Sequence, residues 1–381
     1  MPACLPRAHC CYYCCPGNPF LKSSATNPQP SETTPSLDSL QVALADDRDA
    51  VAWDGYVAQD PAASNYHQWA WKRVVEDSFG HATHYLVARC RAQVCGVLPL
   101  VEMKSLLFGH FLVSLPFVNY GGVLAAADAV RDALLARAEQ LCRDLGVGHL
   151  ELRQGSSLAT SWPHAAAKVA MVVPLPATPE EYFKGLASRL RNKVRHAQKH
   201  GLGVRWGREE LLSDFYSVFC VNMRHLGTPV YPARWFENVC RQHPDSTRLL
   251  VVYEGQAPVA ATMITNFRKF VELPWIASTP ESRKHYSGIL LYWAALEWAI
   301  QNGYAEVDLG RCTPGGGVYQ FKQQWNCEER PLHWYYWLGP GKPIPELRPS
   351  NPKYRLAIST WQRLPLWLTN WLGPKIVRSI P

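Results

Sequence analysis

Apolar and polar positions alternate in two meanders along the chain. Each is followed downstream by an amphipathic helix, a glycine and one more short strand. The first meander, HYLVARCRAQVCGVLPLVEM, is expected to turn at Arg91 and Ala92, and the second, RLLVVYEGQAPVAATMITNF, at Glu254 and Gly255. Both read as β-hairpins, because apolar runs flank a two-residue turn signal. The segment AEQLCRDLGVGHLELRQ (residues 138–154) reads as a helix stopped by Gly146 and then a strand. ALEWAIQNGYAEVDLGR (residues 295–311) repeats that plan with Gly303 as the stop. Aligning the two glycines places Glu151 over Asp308 and Leu152 over Leu309. Val87 and Val251 are 164 positions apart and Glu151 and Asp308 are 157 apart, so one loop absorbs the seven-residue difference. This order predicts a tandem repeat of one unit, and an α/β (α+β) protein with helices packed on mostly antiparallel sheets.

Between the copies, the sequence TPEE at residues 178–181 is a helix start, with proline at the first helical position and acids in the first turn. That helix is expected to run to about His200 and stop at Gly201. A second helical region is expected from Glu209 through Phe219 to Cys240, with a break near Gly227 and Pro229. The expected organisation is a disordered or mis-started tail at 1–36, a first unit at 37–175, a second at 176–345 and an aromatic, basic tail at 346–381.

An apolar content of 47% with 15 tryptophans excludes a disordered chain. No run of about 18 apolar residues predicts a membrane-spanning helix. Cys10, Cys11, Cys14 and Cys15 could supply four thiolates, but their adjacent spacing suits one tetrahedral ion poorly, so no metal site is expected. Cys90, Cys95, Cys142, Cys220, Cys240, Cys312 and Cys327 are scattered in apolar company. They read as reduced thiols of a cytoplasmic protein, with Cys312 a spectator.

Charge is uneven within the net +8. Residues 182–208 hold eight bases and no acid, and Arg191, Arg195 and Lys199 form one helical stripe. Same-sign neighbours repel, which a polyanionic partner offsets: a nucleotide-linked precursor, a tRNA backbone or an anionic membrane. The C-terminal segment carries Lys353, Arg355, Arg363, Lys375 and Arg378 without acids, and Trp361, Trp367 and Trp371 among leucines. Tyr354, Ile358, Trp361 and Leu364 share a face, and Pro365 divides two helices. Such a segment suits either a membrane interface or docking on the protein's own core.

The stretch VDLGRCTPGGGVYQFKQQWN (residues 307–326) concentrates candidate chemistry. A surface turn needs one glycine, yet Gly310, Gly315, Gly316 and Gly317 fall within eight residues. Such a loop exposes backbone N–H groups and admits a phosphate or an acyl carrier.

With LRNKVRHAQKHG, HLGTPVYP, LPFVNYGGV and FKQQW in this order, the chain resembles FemAB-like proteins of the GNAT acyltransferase superfamily. The branch is the one associated with exosortase (PEP-CTERM) and exopolysaccharide gene clusters. The similarity runs from about Leu37 and is strongest over residues 190–338. It implies two tandem GNAT folds in a cytoplasmic bacterial enzyme of the cell envelope, peripheral to the inner membrane face. FemAB proteins move an amino acid from aminoacyl-tRNA to an amino group of a peptidoglycan precursor, and acetyltransferase-like relatives take acyl-CoA. The resemblance therefore implies no tightly bound cofactor, a donor that is acyl-CoA or aminoacyl-tRNA, and an amino-bearing envelope or polysaccharide acceptor. The chain departs from the family in lacking a coiled-coil arm. In place of the Arg/Gln-x-x-Gly-x-Gly/Ala loop of ordinary GNAT enzymes, PESRKHYSGILLYW offers only Gly288 ahead of a helix.

Amine attack on an activated carbonyl needs a neutral amine, a proton relay and a donor aimed at the oxyanion. The family's Phe-Lys pair maps onto Phe321 and Lys322, with Lys322 stabilising the oxyanion or a donor phosphate. Arg311 is expected as a phosphate ligand, Asp308 as its holder or a relay, and Glu272 as a base. Tyr319 and Trp325 are expected to line the acceptor site, with Arg224 and Tyr231 in an acceptor loop. Two rivals remain: a catalytically silent scaffold for polysaccharide machinery at the membrane, and an RNA-binding role for the basic helix.

Overall fold

The computed structural model describes residues 39–105, 109–165, 168–345 and 352–380. The expectations for residues 1–36, the four-cysteine cluster among them, lie outside the described residues, as do the side chains of Lys353, Tyr354 and Arg355.

The first repeat comprises β1 (Leu40–Leu44), α1 (Ala50–Gln59), α2 (Trp71–Phe79), β2 (Leu86–Cys90), β3 (Gln93–Leu98), β4 (Val101–Ser105), β5 (Gly109–Val113), β6 (Leu124–Ala125), α3 (Asp128–Leu145), β7 (His149–Gln154), β8 (His164–Ala165) and β9 (Val169–Pro174). The second comprises α4 (Pro179–Gly185), α5 (Ser188–Lys199), β10 (Leu202–Gly207), α6 (Leu212–Leu226), α7 (Ala233–Gln242), β11 (Thr247–Glu254), β12 (Ala257–Phe267), β13 (Phe270–Ser278), α8 (Ser287–Gln301), β14 (Glu306–Cys312), α9 (Gly317–Gln323), β15 (Glu328–Pro331) and β16 (His333–Leu338). Two helices follow, α10 (Pro352–Arg363) and α11 (Leu366–Val377).

The strands form three sheets, ordered β1-β2-β3-β6, β4-β5-β7-β16-β8 and β10-β11-β12-β13-β14-β9-β15. Pairing is antiparallel except at β5–β7 and β13–β14, where α3 and α8 are the crossovers. The two repeats exchange strands. β9, which precedes residue 175, lies between β14 and β15, and β16, from the far end of the second repeat, lies between β7 and β8. A shared core seals the halves: Trp71 of α2 meets Trp235 of α7 at 5.9 Å, and both are fully buried. Truncating either ring to alanine would cost about 3–5 kcal/mol.

Local signals explain most boundaries. The first hairpin turns at Arg91 and Ala92, both at positive φ, the form whose twist matches paired strands. The second turns one residue later than expected, at Gly255 and Gln256, because Glu254 stays paired with Ala257 and Gly255 takes the positive φ. Gly146 and Gly303 end the two repeat helices in the left-handed conformation. The helix expected over 178–200 is two helices. Thr178 caps α4 through the Glu181 N–H, but Leu186 turns extended to enter the core before α5 begins. Gly227, at φ +70°, separates α6 from α7.

At the C-terminus Pro365 divides α10 from α11 as expected. The inner faces dock on the protein itself: a Cβ at Gly227 would lie 2.4 Å from Ile358, and one at Gly373 2.8 Å from Val230. The outer faces leave Leu356, Trp367 and Trp371 70%, 70% and 58% exposed. Among the described residues no helix is long and apolar enough to cross a membrane. The seven cysteines from Cys90 onward are free, six of them buried.

Candidate active site

β13 and β14 pair in parallel only from Phe270–Glu306 to Glu272–Asp308, and then separate. β13 continues beside β12 to Ser278, while β14 bulges against β9 between Asp308 and Arg311. One residue too many on β14 bends it away from β13. Gly310 sits in the bulge at φ +85°, which glycine adopts without strain. The parted strands leave a cleft of 850 Å³ beyond their paired ends, the usual ligand position in parallel α/β arrangements.

Lys322 stands at its base. It is 3% exposed, and its Nζ donates to the carbonyls of Gly310 at 2.7 Å and Arg311 at 3.2 Å. The bulge is thus pinned by an ammonium with one further N–H to give. Burial pushes the Lys322 pKa down, and the Asp308 charge resists that. Asp308 is fully buried and accepts hydrogen bonds from the Tyr120 hydroxyl at 2.8 Å and its own strand's Gly310 N–H at 2.7 Å. Glu272, its register partner, is buried beside it. Burial raises both pKa values, and the Asp308 charge raises Glu272 further.

Several expected roles change with this geometry. Neither Glu272 nor Asp308 lines the cleft, because their side chains sit beneath its floor. Asp308 does not hold Arg311. That guanidinium has no hydrogen bond or ion pair among the described residues and lies against Trp334 at 5.1 Å, a ring that Arg153 also meets at 4.5 Å. Arg311 lines the cleft as an exposed, unpaired cation, and the protein crowded around it and the Arg153 charge draw its pKa down. Trp325 is a core residue: it is fully buried, stacks on Tyr292 at 5.8 Å, and its carbonyl accepts from Tyr182. Tyr319 turns to Glu329, away from the cleft. Phe321 lines the cleft and packs edge-on against Tyr292, and Tyr231 lines it too, whereas Arg224 does not. Of the three adjacent glycines only Gly317, the first residue of α9, reaches the cleft; Gly315 and Gly316 are exposed outside it.

The basic stripe also faces elsewhere. Arg191 donates to the carbonyls of Lys184 and Leu186, closing the end of α4, and Arg195 lies over Phe183 at 5.2 Å. Lys199 is exposed outside the cleft, and the base of α5 that lines it is Lys193.

Some contributors escaped the sequence reading. Phe117, Val118 and Asn119 of the first repeat form part of the cleft wall, and Tyr120 reaches Asp308. A signal existed in the segment LPFVNYGGV, but its destination did not. The loop before α8 is more informative. Arg283, Tyr286 and Gly288 all line the cleft, with the spacing Arg-x-x-Tyr-x-Gly. Tyr286 stands at φ +60°, ψ +31°, a conformation typical of glycine. The loop thus carries a tyrosine on backbone of the kind glycine adopts most readily. It brings Arg283 and the first turn of α8 to the cleft, where a helix N-terminus favours an anion.

Comparison with known proteins agrees with this architecture. Residues 185–323 match the family model described as an acetyltransferase (GNAT) domain. No curated protein sequence matches the chain. Among solved structures, FemX is similar over 77% of this chain and 97% of its own, at 14% identity and a TM-score of 0.58. A tandem GNAT protein from the clavulanic acid biosynthesis pathway is similar over 80% of this chain and 100% of its own, at 14% identity and a TM-score of 0.51. The C-terminal domain of a candidate lysylphosphatidylglycerol synthetase from Agrobacterium fabrum covers 77% of this chain and 92% of its own, at 11% identity and a TM-score of 0.53. At these identities the likeness is one of fold. The chain has a tandem GNAT-like fold, and its residues 185–323, which supply most of the cleft, match an acetyltransferase (GNAT) domain.

Proposed function

We propose that the protein is an N-acyltransferase or aminoacyltransferase acting on an amino group of a cell-envelope or exopolysaccharide precursor. The observation that carries this reading is the cleft between β13 and β14, held open by the Gly310 bulge and pinned by Lys322. The match of residues 185–323 to the GNAT family model and the fold shared with FemX support it.

In this reaction the acceptor nitrogen forms a bond to the donor carbonyl carbon. The bond to the carrier's sulfur or oxygen breaks, the amine proton leaves to water, and the carrier takes up a proton. The remaining N–H of Lys322 faces the developing oxyanion in a desolvated site, where such a donor is worth about 3–4 kcal/mol. Arg283, Lys193 and the first turn of α8 receive the anionic part of the donor. That set favours a pyrophosphate-bearing acyl carrier such as acyl-CoA over an aminoacyl-tRNA. Arg311, unpaired in the same cleft, receives an anionic group of the acceptor. The buried Glu272–Asp308 pair acts through position, fixing the bulge and Tyr120 beneath the floor. No tightly held cofactor enters this scheme, since the donor is consumed.

The test is thermal stabilisation of the full chain by acetyl-CoA, longer acyl-CoAs, and charged and uncharged tRNA. A ligand at about 100 times its Kd adds about 2.7 kcal/mol to the folded state. Stabilisation by an acyl-CoA, with turnover falling about 100-fold or more in a folded Lys322→Ala variant, supports the reading. Stabilisation by charged tRNA alone moves the donor to the aminoacyl class. Silence from every donor, with no turnover, would leave the scaffold reading.

The outer face of the tail supports peripheral contact with an anionic membrane, and we place the enzyme on the cytoplasmic side in the exosortase-associated setting that the resemblance implies. Arg363, Trp367, Trp371 and Lys375 follow one another at four-residue spacing, all exposed, and the Lys375 ammonium lies 3.6 Å from the Trp371 ring. Aromatic rings flanked by bases suit a lipid headgroup layer. Cosedimentation with anionic vesicles, lost in Trp367→Ala/Trp371→Ala, is the expected result; equal recovery with and without vesicles would sink it.

A further inference from the structure

His200, Glu254 and His285 come from three separate elements: the C-terminal cap of α5, the end of β11 and the short 3-10 turn Glu281–His285 ahead of α8. They nevertheless converge, with one ligand atom of each lying within 4.8 Å of the other two. His285 Nδ1 is 2.7 Å from a Glu254 oxygen, and the imidazoles of His200 and His285 approach to 3.8 Å between ring centres. A surface ion pair accounts for His285 and Glu254 alone. It leaves the ligand atom of His200, which lies within 4.8 Å of both others, without a role. A divalent ion satisfies all three at once, with both imidazoles neutral and the carboxylate charged.

We propose that His200, Glu254 and His285 form a binding site for one zinc-type divalent cation. Two imidazole nitrogens and one carboxylate oxygen suit Zn²⁺ and its borderline neighbours, whereas Mg²⁺ and Ca²⁺ prefer oxygen alone. Three protein ligands leave a fourth position of the tetrahedron to water. None of the three side chains lines the cleft, so the ion has no place in the acyl transfer. Its effect is mechanical. His285 adjoins Tyr286 and lies two residues from Arg283, both of which line the cleft. An ion here ties that loop to α5 and to the β11–β12 hairpin, fixing the backbone that delivers Arg283. Metal binding does not rest on the acyltransferase reading.

The test is titration of the full chain with Zn²⁺ and, for its spectrum, Co²⁺. A second protein with Cys10, Cys11, Cys14 and Cys15 all changed to Ser removes the thiolate cluster from the count. The expected result is one saturable equivalent in that protein, with a Co²⁺ spectrum that lacks a thiolate charge-transfer band. Affinity should fall about tenfold or more in each of His200→Ala, His285→Ala and Glu254→Gln. Amide hydrogen exchange over residues 281–288 should slow when Zn²⁺ is added and not in His285→Ala. Absence of a saturable equivalent overturns the proposal. So does unchanged affinity in a folded His200→Ala/His285→Ala double variant.

Discussion

The two repeats place a carboxylate at the same point of the same strand and then part company. In the second, Asp308 is followed two residues on by Gly310, and the β13–β14 junction is open. In the first, Glu151 is followed two residues on by Arg153, and the corresponding β5–β7 junction is filled. Arg153 Nε donates to Glu151 at 2.7 Å, and its guanidinium donates to the carbonyls of Val118 at 2.6 Å and Leu115 at 3.3 Å, in the chain just beyond β5. β7 runs beside β16 with no bulge. Each carboxylate accepts from a tyrosine supplied by the opposite half, Tyr336 for Glu151 and Tyr120 for Asp308. One scaffold thus serves as a buttress in one copy and as a candidate site in the other. A side chain two residues beyond the acid decides which.

The comparison can be broken most forcefully at the buttress. Arg153→Ala leaves Glu151 buried without its cation and strips two carbonyls of a donor. It should cost about 3–5 kcal/mol, read as a lower denaturant midpoint. A loss under about 1 kcal/mol would mean that Arg153 does not close the first junction. Gly310→Arg carries the plug into the second repeat. At φ +85° it adds about 1–2 kcal/mol of backbone strain and fills the cleft. Donor-induced stabilisation should vanish while circular dichroism stays native; a variant that still binds donor would show that the cleft is not the donor site.

The smallest effect concerns the buried acids, because the first repeat sets one carboxylate against an arginine and the second sets two carboxyls together. Glu272 has a folded pKa held above its ordinary value by burial and by Asp308. The folded state keeps a proton that the unfolded state releases, so this contribution is fully present below about pH 4.3 and declines as pH rises towards the folded pKa. Glu272→Gln should flatten the fall in stability as pH rises above about 4.3. A residual slope should remain, since Asp308 is raised in the same direction. Parallel profiles for the two proteins would show that Glu272 ionises freely.

The repeat was legible because its signals are local: alternation, an amphipathic helix, and a glycine in left-handed conformation at Gly146 and Gly303. The floor of the cleft was not, because it is made by contacts between distant positions. Tyr120 and Asp308 are 188 residues apart, and nothing near either position announces the other. Trp325 misled through its nearness to Lys322. Lys322 lies in the last turn of α9 and Trp325 just beyond its end; both point inward, but Trp325 enters the core and Lys322 reaches the bulge. Arg191 shows the limit of reading a charge stripe, since a base without a nearby acid can be satisfied by carbonyls at a helix end. Tyr286 shows the converse, a glycine-like backbone under another residue's name.

The strand exchange bears on how such a protein can be taken apart. A fragment beginning at residue 176 would lose β9 from the middle of its sheet, baring β14 and β15 along their N–H and C=O rows. The complementary fragment would lose β16 and bare β7 and β8 in the same way. Unpaired edges of that length recruit other strands, so each piece would aggregate rather than persist as a smaller working unit. Mixed together from the unfolded state, the two would complete each other. The half that holds the cleft is therefore not a portable module, and neither repeat can be discarded without baring the other.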